Sequence, residues 1–329
     1  MKRREWLQIG VAVGAAALGG AACKSSSGKL KIAVIPKGTT HEFWKTVHAG
    51  AVKASRELDV EIAWKGPLKE DDLKEQADIV ESFVAEKISG IVLAPLHDKG
   101  LVAPVKLAKD AGIPTVIFDS ALQGGDPVSF VATDNVAAGK LGGERLVKLL
   151  GGKGNVIVLR YQEGSASTSA REEGCLGALK AATDLKIVSD NQFAGATTES
   201  ASKAAETLLV AQGADKDQVQ GVFCPNESTT FGMLLALDRL GLAGKVKLVG
   251  FDSSEKLVAG LRDGKVDALV VQDPMNMGYL AVKTIVAHLK GTTVEKVIDT
   301  GARVVEKADM DSAEVKALLN PDLKTYLGE

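Results

Sequence analysis

The chain has 329 residues, of which 45% are hydrophobic, 25% are charged and 4% are aromatic. This balance excludes a disordered, collagen-like or coiled-coil protein, and the length predicts two domains. The formal net charge is −2, so no basic excess points to nucleic acid as a partner. Three cysteines are too few to form a disulfide scaffold.

The first 23 residues have the features of an export signal. A basic start with Arg3 and Arg4 is followed by an uninterrupted run of small and apolar residues at positions 9–22. That run is too short for a helix to span a hydrocarbon core of ~30 Å. Positions 3–8 resemble a twin-arginine signal, which exports proteins that have already folded. We therefore predict a signal peptide over residues 1–23 and a function outside the cytoplasmic membrane.

Cys23 stands where the apolar run ends. Positions 20–23 read Gly-Ala-Ala-Cys and resemble a bacterial lipobox, which predicts a lipid on Cys23. Residues 24–29 are then a flexible linker between the lipid and the folded body. The alternative is an ordinary cleavage after an Ala-x-Ala sequence at positions 15–17. Both alternatives predict a periplasmic or cell-surface protein, and only the first predicts a membrane anchor.

From residue 30 onward, short apolar strands alternate with helices. The predicted strands lie at 30–35, 62–64, 91–94, 113–118, 155–159, 187–188, 220–223, 247–251, 266–271 and 302–305. A helix is predicted after each strand, which indicates a parallel sheet covered by helices on both faces. About ten such units exceed one open sheet, so the α/β fold is predicted to form two lobes.

Polar side chains follow many of the predicted strands, and ligands of parallel α/β sheets bind at those strand ends. The candidate site residues are His41, Phe43, Trp44, Asp119, Ser120, Arg171, Asn226, Asp252 and Gln272. Carboxylate, amide and guanidinium groups can each bridge two neighbouring hydroxyls. A single Asp or Asn after a strand is more typical of a helix cap. Six strand ends with this chemistry together predict a site for a small, neutral ligand rich in hydroxyl groups.

Several segments carry a family resemblance by their order and spacing. They lie at 40–44, 118–120, 132–135, 169–174, 224–227, 249–252 and 271–272. With them the chain resembles, from about residue 29 to 319, the ribose-type periplasmic sugar-binding proteins, the type I substrate-binding components of ABC transporters. The resemblance implies two Rossmann-like lobes with parallel sheets, joined by a three-strand hinge, with a sugar in the cleft between them.

The resemblance also implies lobe boundaries. The N-terminal lobe would comprise residues 30–132 and 273–299, and the C-terminal lobe residues 133–272 and 300–329. The chain would cross between the lobes near residues 131–134, 272 and 299–302.

Roles for the candidate residues follow from the same resemblance. By the resemblance, Phe43 and Trp44 would pack against the sugar, and Asp119 and Asp252 would accept hydrogen bonds from its hydroxyl groups. Arg171 would donate a pair of hydrogen bonds, and Asn226 and Gln272 would complete the ring of polar contacts. Three positions differ from the ribose pattern: His41 replaces Asn, Trp44 replaces a second Phe, and Ser120 replaces Arg. A bulkier Trp and a smaller Ser reshape the pocket, so the substrate is left open among pentoses, hexoses and polyols.

The predicted function is therefore non-catalytic: a monomer without cofactor or metal that delivers a neutral sugar or polyol to an ABC permease. The same closed form could instead signal to a chemoreceptor or histidine kinase. An exported nicotinamide-dependent oxidoreductase would need Gly-x-Gly-x-x-Gly after the first strand, but positions 36–41 hold one glycine. A transcription regulator of this fold would need a DNA-binding helix-turn-helix where the export signal stands.

Other polar clusters have ordinary structural interpretations. The four histidines lack the spacing of metal ligands. Cys175 and Cys224 are predicted to be buried small hydrophobic residues, with a disulfide between them left open. The charge run at positions 69–72, Lys-Glu-Asp-Asp, is predicted to be a solvated turn and helix start.

Overall fold

A computed structural model describes residues 28–328 of the chain. The predicted signal peptide at 1–23, with Arg3, Arg4 and the lipid site Cys23, lies outside the described residues, as does most of the predicted linker at 24–29. Within residues 28–328, no helix is both long enough and apolar enough to cross a membrane.

Twelve strands and eleven α-helices alternate along the described chain. The strands are β1 (Lys31–Ile35), β2 (Glu61–Trp64), β3 (Gly90–Leu93), β4 (Thr115–Phe118), β5 (Ser129–Ala132), β6 (Lys153–Val158), β7 (Asp184–Ser189), β8 (Gly221–Phe223), β9 (Lys247–Phe251), β10 (Ala268–Gln272), β11 (Val297–Asp299) and β12 (Ala302–Val305). The helices are α1 (Glu42–Leu58), α2 (Leu73–Ala85), α3 (Val102–Asp110), α4 (Asn135–Leu149), α5 (Ala166–Ala181), α6 (Thr198–Ala211), α7 (Glu227–Arg239), α8 (Glu255–Arg262), α9 (Pro274–Leu289), α10 (Ala313–Leu319) and α11 (Leu323–Leu327).

The strands form two six-stranded sheets. The first has the order β11-β5-β4-β3-β1-β2 and, with its helices, is called the first lobe; the second has the order β12-β10-β9-β8-β6-β7 and is called the second lobe. Neighbouring strands are parallel except for β10 and β12, which are antiparallel. The prediction of wholly parallel sheets is wrong for this pair, because β10 leads out of the second lobe whereas β12 leads back into it.

The sequence did not predict two of the strands. β5 and β11 pair with each other at the edge of the first sheet. β11 is largely exposed, so its residues carry no hydrophobic pattern. Strand β7 extends over six residues rather than the two that were predicted.

Three connections between the sheets converge on one hydroxyl group. The chain passes from one sheet to the other after β5, after β10 and between β11 and β12. Oγ1 of Thr133, just after β5, lies 2.9 Å from Oε1 of Gln272, 3.0 Å from the carbonyl oxygen of Gly301 and 3.4 Å from Oγ1 of Thr300. Thr133 therefore ties all three crossings together at the hinge.

The C-terminal tail makes a further link between the lobes. Helix α10 buries Val315 and Leu319 in the apolar core of the second lobe. Helix α11 lies against α1 of the first lobe, where the guanidinium of Arg56 donates to the carbonyl oxygens of Thr325 and Tyr326 at 2.9 and 3.1 Å. The tail thus spans the hinge outside the three crossings.

The two cysteines of the described chain are buried, unpaired thiols. Cys224 belongs to the apolar cluster that contains Val222, and Cys175 to the cluster that contains Phe223. Side chains of adjacent strand residues point to opposite faces of a sheet, so the two thiols lie on opposite sides of the second sheet.

One helix pair in each lobe packs at unusually close range through glycines. Helices α1 and α9 meet at Gly50 and Gly278, and α4 and α5 meet at Gly139 and Gly174. A Cβ on Gly174 would lie 2.0 Å from the carbonyl oxygen of Val136, far inside contact distance. Only glycine permits so short a distance between the helices. In the second lobe, this distance also sets the position of the α5 residues that face the cleft.

Replacing Gly174 with alanine is expected to lower the free energy of unfolding by about 2 kcal/mol, because the added methyl group forces α4 and α5 apart. Gly177 is the matched control, since it lies in the same helix with nothing within 4 Å of an added Cβ. Gly177→Ala is expected to raise the free energy of unfolding by about 0.5 kcal/mol. Urea denaturation measures both changes, and equal effects of the two substitutions would contradict the close-packing argument.

Candidate ligand-binding cleft

A cavity of about 20 Å³ lies between the two lobes, at the ends of β1, β4, β6, β8, β9 and β10. Eight of the nine predicted site residues line it, namely His41, Phe43, Trp44, Asp119, Arg171, Asn226, Asp252 and Gln272. The lining also includes six residues that the sequence did not single out: Lys37, Glu70, Tyr161, Ser167, Thr168 and Glu227. Both lobes therefore contribute side chains to one small, enclosed space.

Ser120 is the predicted site residue that does not line the cavity. Its side chain is fully buried, and its Oγ accepts a hydrogen bond from the backbone N–H of Ser167 at 3.1 Å. Because Ser167 belongs to the second lobe and Ser120 to the first, this bond joins the lobes beside the cavity.

Glu70 corrects the prediction for the charge run at positions 69–72. Asp72 does cap α2, by accepting a hydrogen bond from the backbone N–H of Glu75. Glu70, however, is only 5% exposed and faces the cavity. A run of charged residues in a loop does not show which of their side chains points into the cavity. Lys37 was missed for a different reason, since it follows β1 directly and the strand-end rule applied to it equally.

Asp119 and Asp252 follow β4 and β9 in the left-handed region of backbone conformation, with φ of 59° and 70°. Aspartate tolerates this region better than most residues, and such conformations concentrate at functional sites. The carboxylate of Asp252 is held in place by two hydrogen bonds: its Oδ1 accepts from Nε2 of Gln272 at 2.6 Å, and its Oδ2 accepts from the backbone N–H of Glu227 at 3.0 Å.

Asn226 combines the two roles that the sequence left in competition. Its Oδ1 accepts from the backbone N–H of Thr229 and so caps the first turn of α7. The same side chain lines the cavity, and its Nδ2 donates to Oγ of Ser228 at 3.2 Å. Capping a helix at a strand end and facing the cleft are therefore compatible, because the N-terminus of α7 points at the cavity.

The guanidinium of Arg171 is held on three sides. Nε donates to Oδ1 of Asn135 at 2.7 Å, Nη1 donates to the carbonyl oxygen of Pro225 at 3.0 Å, and the group stacks over the ring of Phe251 at 4.1 Å. Nη2 is buried and has no hydrogen-bond partner among residues 28–328. A buried donor without a partner is costly, so this atom indicates a place where a ligand acceptor fits.

Two carboxylates stand near Arg171 without touching it. Nη2 lies 3.9 Å from Oδ1 of Asp119, and Nη1 lies 4.0 Å from Oδ2 of Asp252. These separations exceed hydrogen-bond length. A hydroxyl group, which both donates and accepts, can bridge a guanidinium and a carboxylate across such a gap.

Glu70 is the centre of a second polar cluster. Its Oε1 accepts from Nε1 of Trp44 at 2.5 Å and lies 2.7 Å from Nδ1 of His41, and its Oε2 accepts from Oη of Tyr161 at 2.6 Å. Burial alone raises the pKa of Glu70, but the charge and hydrogen bond of His41, together with Lys37, outweigh it and lower that pKa to about 2. Glu70 is therefore ionised throughout the physiological range.

The interaction between His41 and Glu70 shifts the pKa of His41 upward. Burial alone lowers its pKa, but the adjacent carboxylate of Glu70 outweighs burial, and Glu227 and Asp252 add to the effect. The pKa of His41 is raised to about 9, so the imidazole is cationic at neutral pH.

Each lobe caps a helix of the other. Helix α1 begins after His41, which supplies no side-chain cap, and the carboxylate of Glu227 accepts from the backbone N–H groups of Glu42 and Phe43 at 3.3 and 3.1 Å. Glu42 in turn accepts from the backbone N–H of Glu255, at the start of α8. These bonds exist only when the lobes are together, so the structure is a closed form.

The charges around the cavity nearly balance. Three cationic side chains, Lys37, His41 and Arg171, face four acidic ones, Glu70, Asp119, Glu227 and Asp252. Burial raises the pKa of Glu227 to about 7 and also raises that of Asp252, which moves the sum closer to zero. No group of His, Cys, Asp and Glu within residues 28–328 could hold a metal ion. An enclosed space of this kind favours an uncharged polar ligand.

Comparison with known proteins gives a consistent result. The family model described as "Periplasmic binding protein domain" matches residues 32–293. Among curated proteins, the ribose import binding protein of Haemophilus influenzae is 30% identical over 291 residues, which are 88% of this chain and 96% of that protein.

Two solved structures extend the similarity to the whole fold. A carbohydrate transporter solute-binding protein from Agrobacterium radiobacter, in complex with D-arabinose, has a TM-score of 0.84 and 33% identity, over 90% of this chain and 100% of that chain. An ABC transporter solute-binding protein from Agrobacterium vitis, with bound D-fucose, has a TM-score of 0.83 and 35% identity, over 88% of this chain and 99% of that chain.

These similarities confirm the predicted fold class of two α/β lobes with mostly parallel sheets, and they confirm the resemblance to ribose-type sugar-binding proteins. The two sheets, the polar cavity at their strand ends and the match over most of the chain agree with one another. The chain belongs to the periplasmic binding protein family.

Proposed function

We propose that the protein captures a small neutral sugar or polyol between its lobes, outside the cytoplasmic membrane, and presents the closed form to an ABC permease. The observation that carries this proposal is the buried Nη2 of Arg171, an atom of a cavity-lining residue that has no hydrogen-bond partner in the described chain. A sugar hydroxyl supplies the missing acceptor and can donate in turn to Asp119 or Asp252. The similar proteins from Agrobacterium contain D-arabinose and D-fucose, which are neutral monosaccharides.

The nine predicted site residues divide by role under this proposal. Asp119, Arg171, Asn226, Asp252 and Gln272 supply hydrogen bonds to hydroxyl groups, His41 adds a charged donor, Phe43 and Trp44 supply apolar surface, and Ser120 joins the lobes. The rings of Phe43 and Trp44 meet edge to face, with centroids 4.9 Å apart. That arrangement offers one ring face to the apolar side of a sugar while the neighbouring ring supports it.

The remaining parts of the proposal concern the setting of the protein. We propose a lipid anchor on Cys23, a linker over residues 24–29 and a monomeric, non-catalytic body. Residues 30–132 and 273–299 form its N-terminal lobe, and residues 133–272 and 300–329 its C-terminal lobe. The hinge at Thr133 supports this division, because it lies where the three crossings meet. Reporting the closed form to a chemoreceptor or histidine kinase uses the same cleft with a different partner.

A thermal-shift screen tests the ligand class. At a concentration of 100 times Kd, a ligand adds about 2.7 kcal/mol of stability, which corresponds to a rise in Tm of about 5 °C. Pentoses, hexoses and polyols form the panel, and D-galacturonate beside D-galactose is the matched charged control. We expect a shift with at least one neutral member and none with the uronate. A folded protein that shifts with no neutral sugar or polyol would contradict the proposal.

Arg171→Lys tests the role of the guanidinium. Lysine keeps the positive charge but lacks the planar fork, so the affinity for the sugar found in the screen is expected to fall at least about tenfold. Arg239→Lys is the control, because Arg239 pairs with Glu206 on the surface, away from the cleft. Titration calorimetry measures both variants after circular dichroism has shown them to be folded. Wild-type affinity in Arg171→Lys would remove this residue from the site.

A further inference from the structure

One carboxylate in the cleft binds to both lobes at once. Glu70 lies in the loop between β2 and α2 of the first lobe, and the hydroxyl of Tyr161 reaches its Oε2 from the second lobe at 2.6 Å. Nε2 of Gln162, also in the second lobe, donates to the carbonyl oxygen of Glu70 at 2.8 Å. Both the side chain and the backbone of Glu70 are therefore engaged across the cleft.

The other oxygen of the same carboxylate binds within the first lobe. Oε1 accepts from Nε1 of Trp44 and from Nδ1 of His41, which are two of the three side chains that differ from the ribose pattern. Both of these bonds lie within the first lobe. The bond to Tyr161 joins different lobes and therefore exists only when the lobes are together.

We propose that Glu70 is a positioning residue that couples closure of the lobes to the orientation of His41 and Trp44. This inference rests on the proposed function, since those two side chains are assigned to the ligand. When the lobes are apart, Oε2 is hydrated. Closure removes that water, and the hydroxyl of Tyr161 takes its place, so the carboxylate keeps its hydrogen bonds when it becomes buried.

The effect of Glu70 reaches the aromatic surface of the cleft. Its bond to Nε1 limits rotation of the Trp44 ring, and that ring packs edge to face on Phe43 and on Phe118, at centroid distances of 4.9 and 6.1 Å. The three rings therefore move as a unit, and the carboxylate holds one edge of it. His41 is held by the same oxygen, so the charged donor and the aromatic surface share one support.

The charged groups facing this cluster come from several elements. Glu227 on α7 and Asp252 after β9 face His41, and Lys37 after β1 faces Glu70. Of the acidic groups near His41, Glu70 is the one that hydrogen-bonds to it. Substitution of Glu70 is therefore expected to change the titration of His41 more than substitution of either other group.

Tyr161→Phe tests the interlobe bond. Removing the hydroxyl leaves Oε2 without a donor in the closed form, so sugar affinity is expected to fall at least about tenfold while the bonds to His41 and Trp44 persist. Tyr279→Phe is the matched control, because Oη of Tyr279 donates to Oε2 of Glu57 at 2.7 Å on the surface. Titration calorimetry measures both. An affinity within twofold of wild type in Tyr161→Phe would overturn the proposal.

Glu70→Gln tests the link to His41, with Glu57→Gln as its control. We expect NMR to show that the pKa of His41, about 9 in the wild type, is lower in Glu70→Gln and unchanged in Glu57→Gln. The stability that the His41–Glu70 pair contributes is present between pH 4.5 and 6.5. It is lost as pH rises toward 9, where His41 deprotonates, and as pH falls toward 2, where Glu70 protonates. The difference in unfolding free energy between wild type and Glu70→Gln is expected to follow this profile.

The outcomes separate the two proposals. If no neutral sugar or polyol binds to the wild-type protein, the proposed function fails, and the coupling inferred from it fails with it; the NMR titration then reports on the His41–Glu70 contact alone. If a sugar binds but Tyr161→Phe retains its affinity, or His41 titrates alike with and without Glu70, the proposed function stands and the role of Glu70 is overturned.

Discussion

Burial of seven ionisable side chains between two lobes is the constraint on which the cleft depends. A charged group leaves water at a high cost unless a partner replaces the lost hydration. In this protein many of the partners come from the opposite lobe: Lys37 donates to Ser165 and Ser167, Glu70 accepts from Tyr161, and Glu227 caps α1. Closure therefore replaces the hydration of these groups with hydrogen bonds from the opposite lobe.

The scaffold around the cleft includes one closely packed helix pair in each lobe. Glycines let the backbone of α1 approach α9 and that of α4 approach α5. The approach of α4 to α5 also brings Asn135 to Arg171, so the same packing orients the guanidinium. Between the lobes, the side chain of Gln272 links the hinge hydroxyl of Thr133 to the carboxylate of Asp252. The side-chain amide of Gln272 thus connects the hinge to the ligand site.

Sequence reasoning recovered most of the cleft because strand ends in a parallel sheet converge whatever the details of packing. That rule identified Arg171 and Asp252, and it would also have identified Lys37. It could not identify Glu70, because the loop that contains Glu70 has no strand pattern. Nor could it show that the side chain of one residue in a charged run points into the cavity. It also could not show that Ser120 faces the other lobe rather than the cavity, because two neighbouring residues at a strand end point in different directions.

The sequence by itself determined the alternation of strands and helices, the two-lobed α/β architecture and the chemical character of the site, since these follow from periodicity and from residue types at fixed places along the chain. Only the tertiary structure decided which groups pair. Tyr161 and Glu70 are 91 residues apart, and Glu227 and Phe43 are 184 apart. Whether such groups meet depends on how the lobes close, and no local pattern encodes that distance. The tertiary structure likewise decides that Nη2 of Arg171 is buried without a hydrogen-bond partner among the described residues.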